Sequence, residues 1–127
     1  MKDYSNFKNS QGAAKFFGSL LAARTQAHVL HLASKSFSEH KALGSFYEAL
    51  TEFTDDIIET YQGQYGMVEI ETKTQNSKAA LPFLESLAVE FKDARKLFSE
   101  KDTHLHNILD EIVALTYKTV YKVKFLK

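Results

Sequence analysis

Histidines and carboxylates spaced along helices are the residue types of this chain best suited to chemistry. His28 and His31 stand one helical turn apart, and His40 follows soon after. Asp55 and Glu59 lie four residues apart, so on a helix both carboxylates share a face, with Asp56 beside them. Imidazole nitrogen together with carboxylate oxygen suits iron, zinc or manganese. The chain has no cysteine, which excludes thiolate zinc sites, iron–sulfur clusters, cysteine nucleophiles and a disulfide framework. It also has no Glu-x-x-His, since Glu39 adjoins His40 and Glu100 is four residues before His104, which argues against a di-metal site inside one bundle. His40 and Asp55 are separated by roughly 22 Å on a continuous helix at a rise of 1.5 Å per residue, so one chain cannot bring them to one metal. Two chains running antiparallel about a two-fold axis would, with His31 and His40 of one facing Asp55 and Glu59 of its mate. The bland reading is ordinary helix polarity, with Asp55, Asp56 and Glu59 a solvated acidic face.

Three further groups carry weaker signals of the same kind. His104, His106 and Asp110 open a later helix and form a weak metal-binding pattern or a solvated face. Lys118, Lys122, Lys124 and Lys127 follow the last acid, Glu111; they complement the negative end of a helix, or contact DNA or phosphate. Residues 42–63 hold Glu48, Glu52, Asp55, Asp56 and Glu59 with no Lys or Arg, a one-signed face that attracts cations or meets a basic partner. No glycine-rich phosphate loop and no hydrolase arrangement is present.

Four helices must position these residues. Ala13, Phe16, Phe17, Leu20, Ala27, Leu30 and His31 recur at three- and four-residue spacing and predict a first helix from about Gly12 to Ser34. Ser36 and Glu39 form a capping-box pattern that starts a second, from about Phe37 to Gln62, striped by Leu43, Phe46, Leu50, Phe53, Ile57 and Tyr61 and closed by Gly63 and Gly66. Residues 63–77 break the period, with Met67, Val68 and Ile70 extended, and read as a crossover. Pro82 fits the first turn of a third helix carrying Leu84, Leu87, Phe91, Ala94 and Phe98. Ser99 and Asp102 cap a fourth, running to about Val123 through Leu105, Leu109, Ile112, Thr116, Thr119 and Val120. The expectation is an all-α four-helix bundle, two antiparallel hairpins joined by a longer crossover, forming one domain over 1–127 with residues 1–11 a flexible lead.

Composition agrees with a globular domain: 127 residues, 44% hydrophobic, 25% charged, with one proline and five glycines. The 16 basic and 16 acidic side chains cancel, so whole-chain charge points to no nucleic acid. The polar start and the short apolar runs predict no signal peptide and no membrane span, hence a cytoplasmic protein.

Residues 27–63, AHVLHLASKSFSEHKALGSFYEALTEFTDDIIETYQG, resemble the first two helices of the Dps-like proteins, the mini-ferritins of the ferritin-like superfamily. Leu32 and Gly44 depart from that family's usual Trp and carboxylate. The chain is also similar to short tailed-phage proteins of that appearance. The resemblance implies a ferritin-like bundle that binds and oxidises iron between subunits of a homo-oligomer. His31 and His40 would face Asp55 and Glu59 of a neighbour, with His28 and Asp56 as accessory groups, and the lysine tail would touch DNA. The alternative is a non-catalytic structural or interaction protein, phage-encoded and placed in the host cytoplasm or the virion, that keeps the bundle without an active metal centre.

Overall fold

A computed structural model describes the backbone of residues 4–127, with side chains from residue 10 onward. Four helices account for most of it: α1 (Tyr4–Ala33), α2 (Phe37–Tyr65), α3 (Ala80–Asp93) and α4 (Thr103–Phe125). A 3₁₀ turn, Ala94–Leu97, follows α3, and no strand occurs among the described residues. The chain is all-α, as its periodicity requires.

The boundaries differ from the sequence reading where local signals were weak. α1 starts at Tyr4, so residues 4–11, expected as a flexible lead, are helical, while residues 1–3 lie outside the described part. α2 runs through Gly63 and stops at Gly66, whose φ of 98° is the left-handed conformation that glycine adopts without strain. The crossover is therefore residues 66–79 rather than 63–77.

That crossover fixes the topology. The Glu71 N–H donates to the Ala14 carbonyl at 3.2 Å, and the Gln26 amide donates to the Ser77 carbonyl at 2.5 Å. The strap therefore runs along α1 in the same direction, with Val68 and Ile70 packed on the core. Gly18 lets it in: a Cβ built there would lie 1.7 Å from the Glu71 carbonyl oxygen. The strap delivers the chain to the far end of α1, so α3 runs parallel to α2 and α4 runs back. The helices form a four-membered ring, α1–α2–α4–α3, each antiparallel to its neighbours, so that in chain order they run up-down-down-up.

The predicted stripes line the interior. Phe17, Phe46 and Phe91 are fully buried with Leu20, Leu43, Leu50, Leu84, Leu105, Leu109 and Ile112. Phe53 and Val120 are half-buried at its margin. Phe16 meets Phe91 and Phe98 edge-on, each at 6.1 Å between ring centres, and Tyr61 meets Phe17 at 5.5 Å and Phe98 at 6.0 Å. Buried Thr116 donates its hydroxyl to the Ile112 carbonyl at 2.8 Å, and Thr119 to Leu115 at 2.8 Å. Thr54, equally buried, has a hydroxyl with no partner among the described residues. A buried polar group without a hydrogen bond costs roughly 1–3 kcal/mol, so Thr54→Val should raise stability by about 1 kcal/mol in urea unfolding. No described helix is long and apolar enough to cross a membrane.

Candidate functional site

The α1–α2 turn gathers three of the five histidines. Ser36 caps α2, its hydroxyl accepting from the Glu39 N–H at 3.3 Å. The return half of the capping box is relayed: the Glu39 carboxylate takes a bond from the Ser34 hydroxyl at 2.7 Å, and that hydroxyl accepts from the Ser36 N–H at 3.2 Å. The tight turn brings His31 and His40 face to face, ring centres 3.7 Å apart and planes 17° from parallel. Each clasps the other's backbone. His31 Nδ1 lies 2.6 Å from the His40 carbonyl oxygen, and His40 Nδ1 lies 2.7 Å from the His31 carbonyl oxygen. A carbonyl oxygen only accepts, so both Nδ1 atoms carry the proton. His28 stacks on Tyr47 at 4.2 Å, and Tyr47 meets the His31 ring at 5.4 Å. The four rings thus bind the end of α1 to the start of α2.

Gly44, where the mini-ferritin pattern has a carboxylate, makes room for this arrangement. A Cβ there would lie 2.9 Å from His31 Cε1 and 3.1 Å from its Nδ1. The ring is locked by its hydrogen bond and its stack and cannot swing aside. Gly44→Ala should therefore lower stability by roughly 1–2 kcal/mol, despite a helix-propensity gain of about 1 kcal/mol. Thermal unfolding checks the loss, and displaced His31 and His40 ring resonances check its cause.

The carboxylates stand elsewhere. Asp55, Asp56 and Glu59 are exposed on the second half of α2, away from the histidines. Among the described residues no group of three His, Asp or Glu side chains is placed to hold a metal ion. Within one chain the structure joins His28, His31 and His40 and leaves the acids apart, as their sequence separation demands.

At the opposite end of the bundle lies a polar cluster that spacing alone did not reveal. Asp102 precedes α4 as expected, but its carboxylate caps nothing. It accepts instead from the Tyr65 hydroxyl and, at 2.8 Å, from the Gln64 amide, so it ties the end of α2 to the start of α4. His104 Nε2 donates to Gln64 Oε1 at 2.7 Å. Burial works to raise the Asp102 carboxyl, but the Tyr65 and Gln64 bonds, with His104 and His106 nearby, outweigh it and hold the group below its usual value of 3.8. Its bond to Asp102, then burial, push Tyr65 from 10.0 up to about 12. The two signs define a window. The lowered Asp102 stabilises the fold above its unfolded value and loses that contribution as pH falls below it. The raised Tyr65 contributes fully below pH 10.0 and loses its contribution as pH rises through about 12. Tyr65→Phe should flatten the alkaline limb of a stability–pH curve and Asp102→Asn the acid limb, both read from urea midpoints.

His106 is buried rather than part of a solvated face. Its Nε2 donates to the Ser99 carbonyl at 3.0 Å, and its Nδ1 lies 3.1 Å from Arg95 Nη1, an obligate donor. In this arrangement Nδ1 faces a donor and Nε2 is the nitrogen that carries a proton. Asp110 pairs with the same arginine, so His106 and Asp110 are joined through Arg95. Lys118, Lys122, Lys124 and Lys127 are exposed, with no carboxylate at ion-pair distance among the described residues.

With this geometry in place, comparison with known proteins identifies the chain's relatives. The chain is similar to an uncharacterised 14.6 kDa protein of the mobD–ri intergenic region of enterobacteria phage T4, 23% identical over 119 residues that span 94% of this chain and 93% of that one. No solved structure matches it. Residues 31–123 match a family of unknown function, DUF5856. These findings overturn the Dps-like membership suggested by residues 27–63: the match runs through α2, α3 and α4 and leads to a different family and a phage relative. The chain belongs to the DUF5856 family.

Proposed function

We propose that the chain is a non-catalytic interaction protein of phage type, acting in the host cytoplasm through the surfaces its bundle presents. The observation that carries this reading is the reciprocal clasp of His31 and His40, in which the side chains best suited to chemistry hold a helical turn together. The same economy holds at the other end, where Asp102, Tyr65 and His106 are consumed in joining helices. The phage relative supports the setting. The up-down-down-up order with its crossover supports a ferritin-like topology for the scaffold and brings no chemistry with it.

A second reading has one observation in its favour. Protons fixed on both Nδ1 atoms leave the Nε2 lone pairs as donors, the tautomer a metal-bound histidine adopts when a carbonyl holds its other nitrogen. Iron or another divalent transition metal would then sit between His31 and His40 of one copy and Asp55 and Glu59 of another. Titration of metal-stripped protein with ferrous iron, followed by peroxide, separates the two. Oxidation at the background rate, unchanged in His31→Ala and Asp55→Ala, is expected. Fast, saturable oxidation lost in both variants would overturn the non-catalytic reading.

A further inference from the structure

The charges of this chain cancel in sum but not in place. The outer face of α2 carries Glu48, Glu52, Asp55, Asp56 and Glu59, all exposed, in a stretch with no Lys or Arg. The outer face of α4 carries Lys118, Lys122 and Lys124, with no acid after Glu111. None of these charges has an ion-pair partner among the described residues.

Apolar surface is segregated in parallel. On α4, Tyr117, Tyr121 and Phe125 recur every four residues and are 46%, 54% and 66% exposed. Lys92 lies over the Tyr117 ring at 5.8 Å and Lys124 over Phe125 at 5.6 Å, so cations and rings form one continuous surface. At the α1–α2 turn, about 16 Å before Glu48 along the helix, Leu32 is 69% and Phe37 76% exposed. Exposed aromatic and aliphatic groups concentrated in this way mark interaction surfaces.

We infer that the basic aromatic face of α4 docks onto the acidic face of α2 in a second copy of this chain. Lengths match: Glu48 to Glu59 spans about 16 Å and Tyr117 to Phe125 about 12 Å at a rise of 1.5 Å per residue. Charge fixes which face meets which. α4 on α4 would oppose lysines and α2 on α2 would oppose acids, and like-charge juxtaposition costs several kcal/mol. Each copy offers both faces, so contact of α2 with α4 closes a two-fold pair when both contacts form together and otherwise extends from copy to copy. A single-stranded nucleic acid would also stack on such rings, but the acidic stripe on neighbouring α2 repels phosphate, and the net charge of zero gives it no long-range attraction. The inference rests on the interaction-protein reading and names its partner.

Charge exchange with sedimentation velocity tests it. The wild-type chain is expected to self-associate at low salt and dissociate as salt screens the contact. Lys118→Glu/Lys122→Glu and Glu48→Lys/Glu52→Lys alter exposed residues, and circular dichroism verifies that both stay folded. Each variant alone should associate roughly 100-fold more weakly. Mixed, they should reassociate, because the reversed α4 of one then complements the reversed α2 of the other. A wild-type chain that stays monomeric at low salt, or a mixture no larger than its parts, overturns the contact. So does a monomer that binds a thymidine oligonucleotide through the same lysines, which would give the face to nucleic acid. These outcomes leave the iron assay untouched, so failure of this contact and failure of the non-catalytic reading are told apart.

Discussion

Gly18→Ala should destabilise the protein by roughly 1–3 kcal/mol, although alanine is the better helix former by about 1 kcal/mol. Gly18 lies inside α1, where propensity alone would predict a gain. The added methyl would stand 1.7 Å from the Glu71 carbonyl oxygen and 2.8 Å from its carbon. Both are backbone atoms, so no side-chain rotation relieves the clash, and the strap must lift. Lifting it breaks the Glu71–Ala14 hydrogen bond and exposes Val68 and Ile70. Hydrogen exchange should show lost protection at the Glu71 amide while the α2–α4 pair keeps its own. Gly63→Ala is the matched control. It too lies within a helix, but nothing stands within 4 Å of its Cβ, so it should stabilise by about 0.5–1 kcal/mol. Opposite signs for the same substitution in two helices would isolate the strap contact from propensity.

Phe98→Ala should cost more, roughly 3–5 kcal/mol in urea unfolding. Phe98 is buried where the chain leaves the 3₁₀ turn in an extended conformation. Its ring meets Phe16 of α1 at 6.1 Å, Tyr61 of α2 at 6.0 Å and His106 of α4 at 6.4 Å. One side chain thus joins three helices at the end of the bundle where α3 stops early. Its loss leaves a cavity that cannot collapse without moving several rings, and domains of this kind are stable by only about 5–15 kcal/mol in all. Phe37→Ala removes the same ring from a site 76% exposed and should change stability by less than about 0.5 kcal/mol.

The helix faces were legible because burial imposes its period on sequence: Phe17, Phe46, Leu84 and Ile112 were placed inside by spacing alone. The crossover was legible because Met67, Val68 and Ile70 break that period. What spacing missed was set by partners distant in sequence. Gly63 and Gly66 look alike until one is seen inside a helix and the other with φ of 98°. Asp102 reads as a cap because the signal is local, whereas its partner Tyr65 lies 37 residues away. Nothing near Gly18 announces Glu71. The start of α1 was missed because residues 4–11 carry no apolar stripe. His31 and His40 have the types and spacing of ligands, and the same types and spacing build a stacked clasp whose carbonyl partners leave both Nε2 atoms open, so residue types and spacing do not separate the two. The resemblance across residues 27–63 failed for the same reason: it rested on residue types at helical spacing, which unrelated helical hairpins also satisfy.

The histidines of the α1–α2 turn hold the end of α1 to the start of α2. Imidazole nitrogen resonances test this most directly, recorded in mildly alkaline solution before and after addition of ferrous iron or zinc. His31 and His40 should show Nδ1–H and His106 Nε2–H, with the same resonances after metal is added. Nε2–H at either turn histidine, or a saturable shift of both on titration with one equivalent of metal, would contradict it.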